Sequence, residues 1–109
     1  MILKLYTTLL LLLVSASVSA QWSGTGDVTS IYSHNERIIV NSTITGNICG
    51  TSGKFWWKTS DTDSKDMLAL AMTAMTAGHS IRVVYDENAG TTNCLYGGDQ
   101  MTHIHVIKK

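Results

Sequence analysis

Two cysteines, Cys49 and Cys94, stand about 45 residues apart in a chain of 109 and constrain its fold more than any other feature. Both follow an N-terminal stretch built like a secretory leader. Lys4 gives it a short positive start, Leu5 to Val14 an apolar core, and Val18-Ser19-Ala20 a small-residue cleavage site. Residues 1–20 therefore read as a signal peptide and 21–109 as one small domain, secreted or periplasmic. In that oxidising setting the two cysteines are expected to pair, because their spacing matches no zinc or redox motif. Closing a loop of that length stabilises a fold by about 4 kcal/mol on the loop-entropy model, a large part of the roughly 5–10 kcal/mol a small domain has in total. The leader's apolar core falls short of the roughly 20 residues a bilayer span needs, so no membrane span is expected.

Charge narrows the function classes. The formal net charge is zero, and beyond the leader Lys and Arg are scattered from Arg37 to Lys109 without a cluster. A nucleic-acid binder needs a concentrated basic footprint, so that class is set aside.

Proline is absent, which leaves glycine to punctuate the chain. Asp27 to Tyr32 alternates as a strand, Ser33-His34-Asn35-Glu36 reads as a turn, and the β-branched run Arg37 to Thr45 reads as its hairpin partner. Asn47 to Lys58, framed by glycines, is strand-like but interrupted, and carries Cys49 and the aromatic run Phe55-Trp56-Trp57. A helix lies within Ser60 to Ala77, capped by Ser60 or Asp61, favoured by Asp63 and Asp66 at its positive end and stopped by Gly78. Ser80 to Asp86 and Met101 to Ile107 read as strands joined by a Gly- and Asn-rich loop. Three strands, a helix and two strands match an OB-fold-like five-stranded Greek-key barrel, mainly β, with the helix between strands 3 and 4. A split sheet crossed by one helix gives the same element string.

The helix has an unusually wide apolar stripe. Met67, Leu68, Leu70, Met72 and Met75 spread over about 200 degrees at helical spacing, more than one sheet can cover. Met67, Leu70, Met72 and Met75 are accordingly candidates for a homo-oligomer interface, or for contact with a separate protein partner. Methionine and alanine are also simply good helix formers.

Candidate chemistry is sparse. His103 and His105 leave one face of the last strand and can share a metal, yet a stable zinc site needs a third ligand that the spacing does not supply. Asp61 to Asp66 lacks the central glycine and distal glutamate of a calcium loop. No Gly-x-Ser-x-Gly elbow accompanies the Ser, His and Asp residues, so neither an enzyme nor a cofactor is expected. Asn41-Ser42-Thr43 matches a glycosylation sequon within a strand.

Aromatic residues point instead to binding. Trp56 and Trp57 are adjacent, so on a strand they face opposite sides and one of them can be presented outward. Exposed rings stack on the apolar faces of sugars, while hydroxyl and amide groups such as those of Ser33, His34 and Asn35 direct hydrogen bonds. Tyr96 in the Gly-rich loop offers a further ring.

Three patches resemble the B subunits of the subtilase-cytotoxin and pertussis-like bacterial toxin family. Gln21-Trp22-Ser23-Gly24 is similar to that family's Glu-Trp-Thr-Gly opening. Ile31-Tyr32-Ser33 stands where the family has an aromatic residue and then a serine that contacts sialic acid. Met67 to Tyr85 resembles the family's helix, Thr-Gly turn and strand. The resemblance implies a secreted OB-fold that assembles as an oligomer and binds host glycans, with Ser33 and Tyr32 at the ligand. Together these readings give a non-enzymatic glycan-binding module that uses Tyr32, Ser33, Trp56 and Trp57. The second reading is an accessory or inhibitor module that meets another protein through its helix.

Overall fold

The structure, a computed structural model, describes residues 20–86 and 94–109. Residues 1–19, which hold all but the last residue of the expected signal peptide, and residues 87–93 of the Gly- and Asn-rich loop lie outside the described residues. The elements run β1 (Ala20–Trp22), β2 (Gly26–His34), β3 (Arg37–Ser42), β4 (Lys54–Lys58), α1 (Ser64–Ala77), β5 (Ser80–Asp86) and β6 (Asp99–Ile107). The chain is mainly β with one helix, as its alternation predicts.

All six strands belong to one sheet in the order β1-β5-β2-β3-β4-β6, and β5 also pairs with β6. Its two sides therefore curl towards each other. β2, β3 and β4 form an antiparallel meander, β6 joins β4 in parallel, and β5 links β6 back to β2. Closure is narrow: β2 meets β5 at Gly26↔Ile81 and Asp27↔Ser80, and β4 meets β6 at Phe55↔Asp99 and Trp56↔Gln100. The bulge at Val28/Ser30 adds local twist where β2 crosses from one partner to the other.

The helix follows β4 and precedes β5, rather than lying between the third and fourth strands. The cause is Ala20–Trp22, which carries no alternation long enough to read as a strand but adds to the free edge of β5 in the register Gln21↔Tyr85. Ser23 fixes this addition, its N–H donating to the Val83 carbonyl at 2.7 Å and its Oγ accepting from the Val83 N–H at 2.9 Å.

Inward residues build one core from Ile38, Val40, Phe55, Trp57, Ile81, Val83 and Met101, closed on one side by Met67, Ala71 and Ala74 of α1. The small Ala71 and Ala74 let the helix lie close to β2 and β6. Met67 is therefore a core residue rather than an interface residue, because its position places it on the same stripe as the two alanines. Leu70 is exposed at one margin of this stripe and Met72 and Met75 at the other.

The start of the helix also differs from expectation. Asp61 serves the preceding turn instead, its carboxylate accepting from the Lys58 N–H at 3.2 Å and its carbonyl from the Ser64 N–H at 3.0 Å. The helix begins at Ser64, and Asp63 occupies the cap position without a side-chain capping bond. Ser64 is spent on the core, where its Oγ accepts the Trp57 indole N–H at 2.9 Å. Gly78 ends the helix in the left-handed conformation, as its position predicts.

Candidate functional site

The outward face of β2, β3 and β4 is set by register. Ser30, Tyr32 and His34 stand opposite Asn41, Ile39 and Arg37, and these lie opposite Lys54, Trp56 and Lys58. Tyr32 and Ser33 thus leave opposite faces of the strand. Tyr32 is 41% exposed with the Lys54 Nζ 5.9 Å from its ring centroid, whereas Ser33 shares the side of Ile38 and is exposed beyond the end of the core.

At the end of this face, β2 turns into β3 through Asn35 and Glu36, both with positive φ (49° and 60°), the left-handed pair a tight hairpin requires. Glutamate adopts this region rarely. Its carbonyl is held by Thr59, which donates both its N–H at 2.9 Å and its Oγ1 at 3.0 Å. A second turn leans on the first. Leu95 and Gly98 bridge around Tyr96 (φ 57°) and Gly97 (φ 79°), and the Tyr96 ring meets the His34 ring edge-on with centroids 5.2 Å apart. The Asn35 amide lies between them, 3.2 Å from the His34 Nε2 and donating to the Tyr96 hydroxyl at 3.4 Å. A side chain at Gly97 would strike Thr51, whose N–H donates to the Gly97 carbonyl at 2.9 Å, so close packing as well as φ demands glycine there.

The disulfide holds this second turn in place. Cys49 and Cys94 are bonded with Cα atoms 5.5 Å apart, as their pairing in the sequence implies. Behind the bond lies a fully buried carboxylate. Asp99 accepts from the Asn47 amide at 2.8 Å, the Ile48 N–H at 3.0 Å and the Cys49 N–H at 2.9 Å. Asn47 in turn accepts from the Gly53 N–H at 2.9 Å and donates to the Thr51 carbonyl at 3.0 Å. The segment between β3 and β4 is thus an ordered loop clamped around one acid, not the interrupted strand expected from Asn47 onward.

This loop overturns the expectation for the tryptophans. Trp57 is 0% exposed and Trp56 2%, so neither ring is available to a ligand. Trp57 faces the core, which adjacency alone does not decide. Trp56 does leave the opposite face, but the 94–98 turn roofs it over: its indole N–H donates to the Gly98 carbonyl at 3.0 Å and the Arg37 guanidinium lies 5.5 Å from its ring centroid. Sequence alternation shows which side a ring leaves from, not whether a distant loop covers that side.

A separate exposed cluster forms on β1, β5 and β6. Ile104 and Val106 pack on the core while His103 and His105 face out, and the Trp22 ring, 44% exposed, lies 6.4 and 6.2 Å from the two imidazoles. Among the described residues no group of three or more His, Cys, Asp or Glu side chains is arranged to hold a metal ion. Nor is any helix there long and apolar enough to cross a membrane.

Of the expected contacts, Tyr32 and Ser33 are exposed, and Tyr96 is brought to His34 and Asn35. Lys54 beside Tyr32 and the structural role of Asp99 went unread, because both depend on partners far off in sequence. Comparison with family models, curated proteins and solved structures finds no match to the chain.

Proposed function

We propose that this chain is a secreted, non-enzymatic binding module of the OB type that takes a glycan at the hairpin tip and the neighbouring face of β2. What supports the OB type is the strand order β5-β2-β3-β4-β6 with β5 and β6 paired: with β1 set aside as an edge addition, it is the order a five-stranded OB barrel requires, with the helix then after the third of those strands in chain order. In such barrels the loops after the first and fourth strands flank the ligand face and take oligonucleotides or oligosaccharides.

One observation carries the reading: Tyr96, from the loop after the fourth barrel strand, is fixed against His34 and Asn35, at the turn after the first. Tyr96 is exposed and holds a left-handed backbone that a bulky residue adopts only when its surroundings impose it, the kind of local strain that gathers at ligand sites. Tyr32 supplies a second ring and Lys54 and Asn35 directed polar groups on that face, while Ser33, leaving the other side of β2, adds its hydroxyl at the rim of the hairpin tip. The absence of a basic cluster in the sequence favours saccharide over nucleic acid. The resemblance to toxin B subunits, through Ser33 and the Trp22 opening, points the same way and adds a ring of subunits packed through Leu70, Met72 and Met75. Several weak sites displayed together would gain avidity.

The test is a glycan array with the disulfide-bonded protein. We expect hits that weaken about tenfold or more in Tyr96→Ala and Ser33→Ala proteins with unchanged circular dichroism. An array without hits, or hits indifferent to both substitutions, would refute the reading. A protein that co-purifies with a stoichiometric partner and is monomeric alone would favour the accessory-module reading, which rests on the same exposed helix residues.

A further inference from the structure

The Trp22 cluster lies on another face from the hairpin tip and owes nothing to the glycan reading. Its centre is Arg82. The guanidinium carbon sits 4.5 Å from the Trp22 ring centroid, and the Nε donates to the His105 Nδ1 at 3.1 Å. These two contacts hold the guanidinium from two sides. Only its Nε is used: among the described residues Arg82 has no carboxylate partner and its two Nη groups make no hydrogen bond.

An arginine normally surrenders side-chain entropy when it grips a ligand, and its forked donors suit planar oxyanions in particular. Here that ordering is already done. The contact with Trp22 and the bond to His105 engage the ring side and the Nε of Arg82 and leave the hydrogen-bonding capacity of its two Nη groups for a ligand. The His105 Nδ1 is taken up by the Arg82 Nε–H, which leaves its Nε2 as one further polar atom at the cluster. His103, engaged through Nδ1 with the Thr102 hydroxyl at 2.9 Å, borders the opposite flank. There it lines a shallow groove together with Asp63 and Asp66, whose charge disfavours an anion on that side.

We infer that Arg82, braced by Trp22 and His105, is a binding site for an oxyanion, the carboxylate or phosphate group of a ligand separate from the one at the hairpin tip.

The test is a titration of the disulfide-bonded protein at fixed pH near 7.5 and constant ionic strength, following the Arg82 Nε–H and Trp22 indole N–H resonances by nitrogen-15 NMR. The probes are sodium phosphate, sodium acetate and sodium chloride. We expect saturable shifts of both resonances with phosphate or acetate and none with chloride. Saturation by phosphate alone marks a phosphate-ester site, by acetate alone a carboxylate site, and by both a general oxyanion site. In Arg82→Gln the Trp22 shift should vanish. In Arg82→Lys, which keeps the charge but loses the fork, affinity should fall about tenfold to a hundredfold. Equal shifts with chloride, no saturation with either oxyanion, or full affinity in Arg82→Lys would overturn the inference. Because Arg82 lies on the outer face, the lysine protein keeps the core intact and the test readable if the glutamine protein folds poorly.

Discussion

Asp99 is the residue on which the loop between β3 and β4 depends. Three donors converge on one buried carboxylate, and removing it would leave the Asn47 amide and the Ile48 and Cys49 N–H groups without their acceptor. Asp99→Ala is therefore expected to cost about 3 kcal/mol or more, read from urea unfolding at neutral pH with the disulfide intact. Asp27 offers a milder, pH-dependent case. The Lys109 ammonium, 2.9 Å from its carboxylate, holds it below the usual aspartate range, with help from the Ser80 hydroxyl and opposed by slight desolvation. A lowered folded-state value means that Asp27 stabilises the fold above the ordinary aspartate pKa of about 3.9, and that this contribution is lost as pH falls through the lowered value. The pair is exposed, so the effect is small. Asp27→Asn should lower stability slightly at neutral pH and remove that part of the acid-side slope, measured as urea midpoints from about pH 2 to 5.

At the scale of elements, α1 shows what sequence periodicity conveys and what it leaves out. The pattern located the helix and its glycine stop, and the width of its apolar stripe was real: its middle is core, and its margins, Leu70 on one side and Met72 and Met75 on the other, are exposed. That Met67 falls in the middle followed from Ala71 and Ala74, whose small size reads as unremarkable in a sequence yet decides which side can approach a sheet. Replacing Leu70, Met72 and Met75 together by glutamine should leave unfolding within about 1 kcal/mol of the parent, since none of them is in the core. If these exposed margins pack copies together, the same change should reduce the solution mass by light scattering to that of one chain. The β2–β3 hairpin and the alternation of β5 and β6 were equally legible, because those signals are local. β1 was not: three residues carry too little pattern, and their partner is an edge reached only after the rest of the sheet exists. Trp56 was misjudged for a related reason, since its cover comes from a turn more than forty positions away.

For the molecule as a whole, stability is concentrated where the sheet curls shut. Gly26 stands at the β2–β5 seam with no room for a side chain, a Cβ there falling 2.6 Å from the Ile44 backbone nitrogen and 2.7 Å from its Cγ1. Gly26→Ala should destabilise by about 1–3 kcal/mol through overpacking, and in thermal melts more than Gly24→Ala, where the added methyl meets nothing within 4 Å. The disulfide ties the opposite side. Cys49→Ala/Cys94→Ala should lose about 4 kcal/mol, checked by comparing urea midpoints of the double variant and the parent. The Tyr96 turn should loosen with it, since that turn leaves the sheet beside the bond, so if the proposed glycan site is correct, its array signal should fall along with stability.

The same seams set an order of assembly. The β2–β3 hairpin joins neighbours in sequence and can form within microseconds, whereas Gly26↔Ile81 and Phe55↔Asp99 must draw together distant parts of the chain before any contact repays the lost freedom. The meander is then the early structure, and the parallel join of β6 to β4 the late one. Asp99 sits in that join, directly beside the loop that carries Cys49, so the native Cys49–Cys94 bond and the closed sheet favour one another. A chain oxidised to a neighbouring molecule before closure would be held open, with Ile39 and Trp56 uncovered and the edge of β4 free to pair with another chain.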